Sequence, residues 1–558
     1  MGISMVVAAA MAMACATAGA QTPPAANSSP GASGTLASPP ESSLAAQIAA
    51  LVAQPAVARA HWGVLVTTLD GKPIYALNEG QFFQPASNAK LFTTAAALAL
   101  LGPDETFETR VSGALDPETG VVKGDLVLKG GGDASFASGD LPYISPAKRP
   151  KDSPPVPHTL RDLEDLVDQL MSKGVKAVEG DVVGDDTFFP WEPFGPDWSI
   201  DDAVWGYGAP VSALTISDNE LRLTMTAGAK AGHPGSVLLE QAVPYYEIDG
   251  GVDTVATEAQ ATGMQVVRMP GSRVLRVFGS MAAGEEPDVE QVAIDDPAEY
   301  SAMALKAILI ERGIRVTGVA RAKHRPAVDG MGFLSELHRA GGAEQSYVSG
   351  ALMAVLCGVD PPPLHGVSVL AVHRSFALAE DVLFTNKVSQ NLHAEVLLHQ
   401  LGRNNDVCSK GSTVEGARMV RAFLVRAGID KDDFVFYDGS GLSGHDLVTP
   451  RATAKLLSYA ALDPKTGGPQ TWFADWKASL PVGGEDKALA TRFAKPPLKD
   501  HVFAKTGTLG EARALSGYLD CASGRTVIFS IMVGNHAPGS NADRDAMDKI
   551  VAAIAAAE

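Results

Sequence analysis

The chain has 558 residues, enough for two or three domains and a large hydrophobic core. Its 64 acidic residues against 45 basic ones leave a formal charge of −19, and no cluster of Lys and Arg stands out. That balance argues against nucleic acid as a partner and against a basic membrane-surface patch.

Residues 1–20 are rich in Ala and Met and end Ala18-Gly19-Ala20. This is the small-residue pattern of a secretory signal cleaved before Gln21, although the usual positive leading segment is absent. Ala12-Met13-Ala14-Cys15 is a poor lipoprotein box, so a lipid anchor at Cys15 is the lesser expectation. Residues 21–43, rich in Pro, Ser, Ala and Gly, read as a flexible linker. No later apolar run reaches the ~20 residues that cross a bilayer, which leaves at most peripheral membrane association. Cys357, Cys408 and Cys521 fit no metal spacing. Three buried thiols is the simpler expectation, and one disulfide plus a buried thiol the alternative.

His61 to Asn78 reads as a hairpin with Asp70-Gly71 at its turn. It leads into Pro85-Ala86-Ser87-Asn88-Ala89-Lys90-Leu91, the start of a helix that Gly102-Pro103 stops. From about Phe107 to Asp288, short alternating segments separated by Gly, Pro and Asp turns read as a mostly β insertion. One helix is expected within it, Leu160 to Lys173, and Lys148 to Pro157 is a polar, Pro-rich excursion. Helical spacing returns over Pro297 to Arg312, followed by a strand at Gly313 to Gly318. Phe376 to Gln400, Thr413 to Ala427 and Arg451 to Leu462 are further helix candidates. His501 to Thr508, Ala514 to Leu519 and Thr526 to Val533 read as three consecutive strands, closed by a helix over Ala542 to Ala557. The expected architecture is an α/β (α+β) sheet domain interrupted by a large insertion.

Ser87 and Lys90 are three apart, so both lie on one helix face. A serine is a poor nucleophile unless a base takes its proton, and a lysine of lowered pKa is such a base. Two further triplets make this pair a candidate site. Ser389-Gln390-Asn391 opens a helical run, and Lys505-Thr506-Gly507-Thr508 lies on a predicted strand. S-x-x-K, S-x-N and K-T-G in that order are the signature of penicillin-recognising serine enzymes. In that scheme Ser87 attacks a carbonyl and Lys90 takes its proton. Ser389 passes a proton to the leaving amine, and Asn391 holds Lys90 and the substrate amide. Lys505 receives a carboxylate, Gly507 lets substrate lie flat against the strand, and the amides of Ser87 and Thr508 form an oxyanion hole. Each triplet has a false copy: Ser145-Pro146-Ala147-Lys148, Ser217-Asp218-Asn219 and Lys465-Thr466-Gly467. Their settings, a Pro-rich excursion and two turns, argue against them.

From Ala45 onward the chain resembles the class C low-molecular-mass penicillin-binding proteins, the D-alanyl-D-alanine carboxypeptidase/endopeptidase family. The likeness rests on Pro85 to Leu91, Leu101-Gly102-Pro103, Gly130-Gly131-Gly132-Asp133, Asn386 to Asn391 and Ala394-Glu395. Asp438-Gly439-Ser440-Gly441-Leu442-Ser443 and Ala504 to Leu509 complete it. The resemblance implies a transpeptidase/β-lactamase-like domain in two parts, residues 44–106 and 289–558, around an inserted 107–288. It implies a periplasmic serine hydrolase of peptidoglycan stem peptides, inhibited by β-lactams and needing no metal or other cofactor. The alternative is a non-catalytic cell-wall-binding or β-lactam-sensing protein on the same fold. A β-lactamase is disfavoured by the long interval between Ser87 and Ser389.

Two departures accompany the likeness. The family often has Asp where this chain has Gln390, and Arg where it has Gly444 followed by His445. In relatives that Arg helps receive a diaminopimelate side chain, partnered by an acid of the insertion, best matched here by Asp185 or Asp186. With Thr506, Gly507, Thr508 and His445, these two acids complete the expected substrate-binding set.

Overall fold

Thr526–Gly534 buries seven consecutive residues, so both of its faces must be covered. It is the third strand of a five-stranded antiparallel sheet, in the order Val502–Leu509, Ala512–Asp520, Thr526–Gly534, His61–Thr68, Pro73–Leu77. The computed structural model describes residues 43–139, 141–149, 160–327, 366–403, 411–486 and 488–558. The expected signal and all of the expected linker but Ser43, which caps helix Leu44–Val52, lie outside the described residues, as do Cys15, Cys357 and Cys408. Cys521 is a buried free thiol.

Strand alternation feeds two cores. Leu515, Leu519, Phe529 and Ile531 pack with Ile48, Met547 and Ile550 of the terminal helices Leu44–Val52 and Ala542–Ala557. Ala514, Tyr518, Ile528 and Met532 pack with Leu91, Phe92 and Ala95 of helix Ala89–Leu100 and with the helices around it. Val502 and Ala504 belong to the first core and Phe503 to the second. Lys505 and Gly507 share the parity of Phe503, which puts them on the face of helix Ala89–Leu100.

Among the described residues the insertion holds three sheets of seven, four and three strands. The seven-stranded sheet includes Glu108–Asp116, Val121–Lys129 and Val182–Asp185, and helices Arg161–Ser172 and Pro297–Glu311 share its core. Here the structure differs from the expected return at residue 289. Helix Pro297–Glu311 buries Tyr300, Leu305 and Leu309 with Val111 and Leu126 of the insertion. Strands Arg315–Val316, Ala320–Lys323 and Ser368–Arg374 pair within the same sheet. The chain regains the body of the five-stranded sheet at helix Leu378–Val388, which packs in the core around Ala89–Leu100. Amphipathic spacing identifies a helix but not the sheet it covers. The strand expected over Gly313 to Gly318 is reduced to Arg315–Val316. The helical run from Phe376 to Gln400 divides into Leu378–Val388 and Asn391–Arg403, with Ser389 between them at φ 65°.

The false copy Ser217-Asp218-Asn219 joins the insertion to the body of the five-stranded sheet. Asp218 Oδ1 lies 2.9 Å from Nε2 of the fully buried His393, whose Nδ1 bonds Asp381 of helix Leu378–Val388. Each ring nitrogen faces a carboxylate, and only the imidazolium has a donor on both. Burial opposes the charge, but Asp381 and Asp218 override it and raise His393 to about 10. His324 lies likewise between Asp186 and Asp296.

A group raised from 6.5 to about 10 contributes stability that is complete below pH 6.5 and lost as pH climbs through 10. His393→Ala should therefore lower the urea-unfolding free energy at pH 7 by roughly 3–5 kcal/mol, because two buried carboxylates lose their cation. The deficit should narrow as pH is raised to 10. A deficit that stays constant over that range would show that His393 is neutral in the folded chain.

Candidate active site

The turn Ala86–Asn88 enters helix Ala89–Leu100, and residues Ala89 to Leu98 are all buried. Ser87 therefore sits at the mouth of a helix that cannot shift without opening the core. Asn88 Nδ2 donates to the Lys505 carbonyl at 3.0 Å, tying this turn to the strand Val502–Leu509. Gly507 passes so close to the turn that a Cβ there would lie 2.5 Å from the Pro85 carbonyl oxygen and 3.1 Å from the Ser87 nitrogen. Gly441 is as tightly placed: a Cβ would lie 1.8 Å from the Ala86 carbonyl oxygen.

Lys90 is fully buried, with Nζ 3.0 Å from Ser87 Oγ, 2.6 Å from Asn391 Oδ1 and 2.8 Å from the Ser440 carbonyl oxygen. Burial pulls its pKa down while Asp438, Glu395 and Asp446 pull it back, leaving it at about 8. Asn391 Nδ2 donates to the Tyr207 carbonyl of the insertion at 2.8 Å, so its Oδ1 faces Lys90. A second insertion contact supports the loop behind Lys90, where Trp198 Nε1 donates to Asp438 Oδ2 at 2.9 Å.

Lys505 is equally buried and donates to Ser389 Oγ at 2.8 Å and to the Thr506 carbonyl at 3.0 Å. Burial, and then the charge of Lys90, holds its pKa well below the usual lysine range. Ser389 has the left-handed backbone φ 65°, ψ 40°, which costs a non-glycine residue roughly 1–2 kcal/mol. Gln390 turns its Oε1 to accept from the Leu392 amide, at the start of helix Asn391–Arg403.

Ser87, Lys90 and Asn391 form one hydrogen-bonded group and Ser389 and Lys505 a second, close enough that the charge of Lys90 is felt at Lys505. Thr506 is half-buried and Thr508 exposed on the same strand. Asp185 and Asp186 are engaged elsewhere. Asp185 pairs with Lys323 at 2.7 Å and accepts from Thr187. Asp186 meets His324 at 2.9 Å and accepts from Ser212. The insertion acid facing the loop that bears Gly444 is Asp197, with Oδ2 3.4 Å from His445 Nδ1. A Cβ on Gly444 would lie 3.1 Å from the same oxygen. Sequence motifs missed Asp197, Trp198 and Tyr207 because they come from a loop with no pattern of its own. The false Lys148 pairs with Glu485, and Lys465 lies in the turn closed by Gly467 N and the Asp463 carbonyl.

The chain matches the D-Ala-D-Ala carboxypeptidase 3 (S13) family over residues 44–332 and 354–556. It is 30% identical over 512 residues to the D-alanyl-D-alanine carboxypeptidase of Actinomadura sp. (strain R39), covering 90% of this chain and 82% of that one. It is 23% identical over 464 residues to the D-alanyl-D-alanine carboxypeptidase DacB of Haemophilus influenzae, covering 83% and 82% of the two chains. The crystal structure of penicillin binding protein 4 from Haemophilus influenzae has the same fold, with a TM-score of 0.70 at 22% identity, over 90% of this chain and 97% of that one.

The tight passage of Gly507 gives a direct test of the site's geometry. A Cβ at this position meets backbone atoms that cannot swing aside, so Gly507→Ala must displace the strand from Ser87. Acylation by a fluorescent penicillin should slow by roughly a hundredfold in a protein that still folds. A rate within about threefold of wild type (~0.6 kcal/mol) would contradict the close approach.

Proposed function

The chain belongs to the D-Ala-D-Ala carboxypeptidase 3 (S13) family, and from its site we propose a reaction through an acyl-enzyme on Ser87. It is a class C low-molecular-mass penicillin-binding protein and a serine D-Ala-D-Ala carboxypeptidase. The observation that carries the proposed residue roles is the buried Lys90, 3.0 Å from Ser87 Oγ and held at a pKa of about 8.

Neutral Lys90 takes the Ser87 proton as Oγ attacks the penultimate D-Ala carbonyl carbon. The amides of Ser87 and Thr508 receive the developing oxyanion. Lys90 returns the proton by way of Ser389 Oγ to the leaving nitrogen of the terminal D-Ala, and the C–N bond breaks. The 2.8 Å bond from Lys505 holds the Ser389 hydroxyl in place. The terminal carboxylate of the substrate raises the depressed pKa of Lys505 and so creates the ion pair that binds it. Thr506 and Gly507 line the strand along which the peptide lies. In the second half-reaction a water attacks the ester, Lys90 takes the water's proton, and Ser87 recovers a proton as it leaves. The same steps cleave a cross-link when the leaving amine is a side chain. With a β-lactam the leaving nitrogen stays tethered to the acyl group, and the ester persists.

We assign residues 1–20 to a signal for export to the periplasm, where stem peptides are found. Asp185 and Asp186 are replaced in the proposed side-chain subsite by Asp197, whose exposed carboxylate adjoins His445. Asp197 offers an acid to an ammonium group, and Gly444 offers no base to a carboxylate. A charge-assisted contact of roughly 1.5–3 kcal/mol is then missing, about ten- to hundredfold in discrimination. The enzyme should accept lysine and diaminopimelate at the third stem position with similar kcat/KM.

The test is mass spectrometry of the protein treated with penicillin, followed by D-alanine release from matched peptides ending in D-Ala-D-Ala. One acyl mass on the peptide containing Ser87, lost in Ser87→Ala, together with catalytic D-alanine release, is the expected result. An adduct on Ser145, or labelling without turnover, would overturn it. A preference above roughly a hundredfold for the diaminopimelate peptide would overturn the subsite alone.

A further inference from the structure

The loop Asp438 to Ser443 lies behind Lys90, and most of its backbone amides donate to side-chain oxygens. Thr93 Oγ1 donates to the Gly439 carbonyl at 2.8 Å. The Gly441 and Ser443 amides donate to the Asp438 carboxylate at 2.7 and 2.6 Å. The Gly439 and Ser440 amides donate to Glu395, at 3.1 Å from Gly439 to each carboxyl oxygen and 2.8 Å from Ser440 to Oε1. The loop also lies against the helix that carries Glu395: a Cβ on Gly439 would be 2.7 Å from the Ala394 carbonyl oxygen. The Ser440 carbonyl is thereby aimed at Lys90 Nζ.

Lys90 must be a neutral amine to act as a base. It then has two N–H donors and one lone pair. Asn391 Oδ1 and the Ser440 carbonyl are two acceptors, and Ser87 Oγ is the third neighbour. With both acceptors in place, both hydrogens are occupied and the lone pair is left for the Ser87 hydroxyl. Asn391 and Glu395 are four residues apart on helix Asn391–Arg403, on one face. Asn391 supplies one acceptor itself, and Glu395 fixes the other through a peptide.

We propose that Glu395 is a positioning residue for acylation, holding the Gly439–Ser440 peptide so that the Ser440 carbonyl orients Lys90 toward Ser87. It touches neither substrate nor Ser87. The titratable groups around Lys90 are Glu395, Asp438, Asp446 and Lys505. Asp446 is raised well above the usual carboxylate range by burial and by the neighbouring Asp438. Glu395 is also raised, to about 8, by burial and Asp438, against the hydrogen bonds from Ser440 and Gly439. Its role does not depend on its charge, because Oε1 alone accepts from both amides.

The inference rests on Ser87 and Lys90 acting as proposed above, and two variants test it separately from that reading. Glu395→Gln keeps an oxygen where Oε1 is, and Glu395→Met keeps the volume without an acceptor. Both are checked for folding by circular dichroism and urea unfolding. Penicillin should label Ser87 stoichiometrically in wild type and in both variants. Glu395→Met should acylate roughly ten- to hundredfold more slowly, with kcat for peptide falling in parallel and KM changing little. Glu395→Gln should recover to within about threefold of wild type (~0.6 kcal/mol). If Glu395→Met acylates at the wild-type rate, or folded Glu395→Gln is greatly slowed, Glu395 does not position Lys90. If wild type carries its label elsewhere than Ser87, the reaction scheme fails instead. Should Glu395→Met not fold, the rate of Glu395→Gln alone decides.

Discussion

The site depends on keeping one amine out of water. Lys90 is fully buried, and desolvation is the largest influence on its pKa. An isolated buried ammonium would be too costly, and three buried acids would make it too stable to give up its proton. The observed compromise uses acids that accept from nearby backbone amides and, at Asp438, from Trp198 as well, rather than from Lys90. The amine's immediate partners are a side-chain amide oxygen, a carbonyl oxygen and the Ser87 hydroxyl. Charge is thus present at second hand, and the lysine is left near the pH at which it can accept a proton.

Several features of the fold follow from that placement. Helix Ala89–Leu100 is buried along most of its length, so the base moves only if the core does. Two glycines, Gly441 and Gly507, allow the loop and the strand to approach the Ala86–Asn88 turn more closely than any side chain would permit. Ser389 takes an unfavourable left-handed conformation between two helices, and Lys505 meets its hydroxyl from the sheet. The insertion adds contacts of its own. Tyr207 fixes which way the Asn391 amide points, Trp198 ties down Asp438, and Asp218 clamps His393 two residues after Asn391. A body that folds around its own sheets therefore also braces Asn391, Asp438 and His393.

Much of the framework was legible in the sequence. The opening hairpin, the Ser87 helix, the three final strands and the closing helix fall within a few residues of where periodicity puts them. The placement of the three triplets was legible too, once secondary structure separated Lys505 on a strand from Lys465 in a turn. Three things were not. The ownership of helix Pro297–Glu311 was hidden because an apolar stripe does not say which sheet it faces. The break at Ser389 was hidden because helical spacing runs on through it, and left-handed backbone at a serine leaves no mark in composition. The acid nearest Gly444 was misread because Asp185 and Asp186 fit a motif, whereas Asp197 reaches His445 only through the path of an irregular loop. Glu395 was visible as part of a matching stretch, but its connection to Lys90 runs through a peptide bond far away in sequence.

The central claim is that Lys90, at a pKa near 8, is the base that activates Ser87. The most direct measurement is the second-order rate constant for acylation of the full-length protein by a penicillin between pH 6 and 10. A base must be neutral to act, so the rate should rise with pH and level off through one ionisation near 8. A limb near 6.5, where an imidazole titrates, or near 10.4, where an unperturbed lysine does, would contradict it.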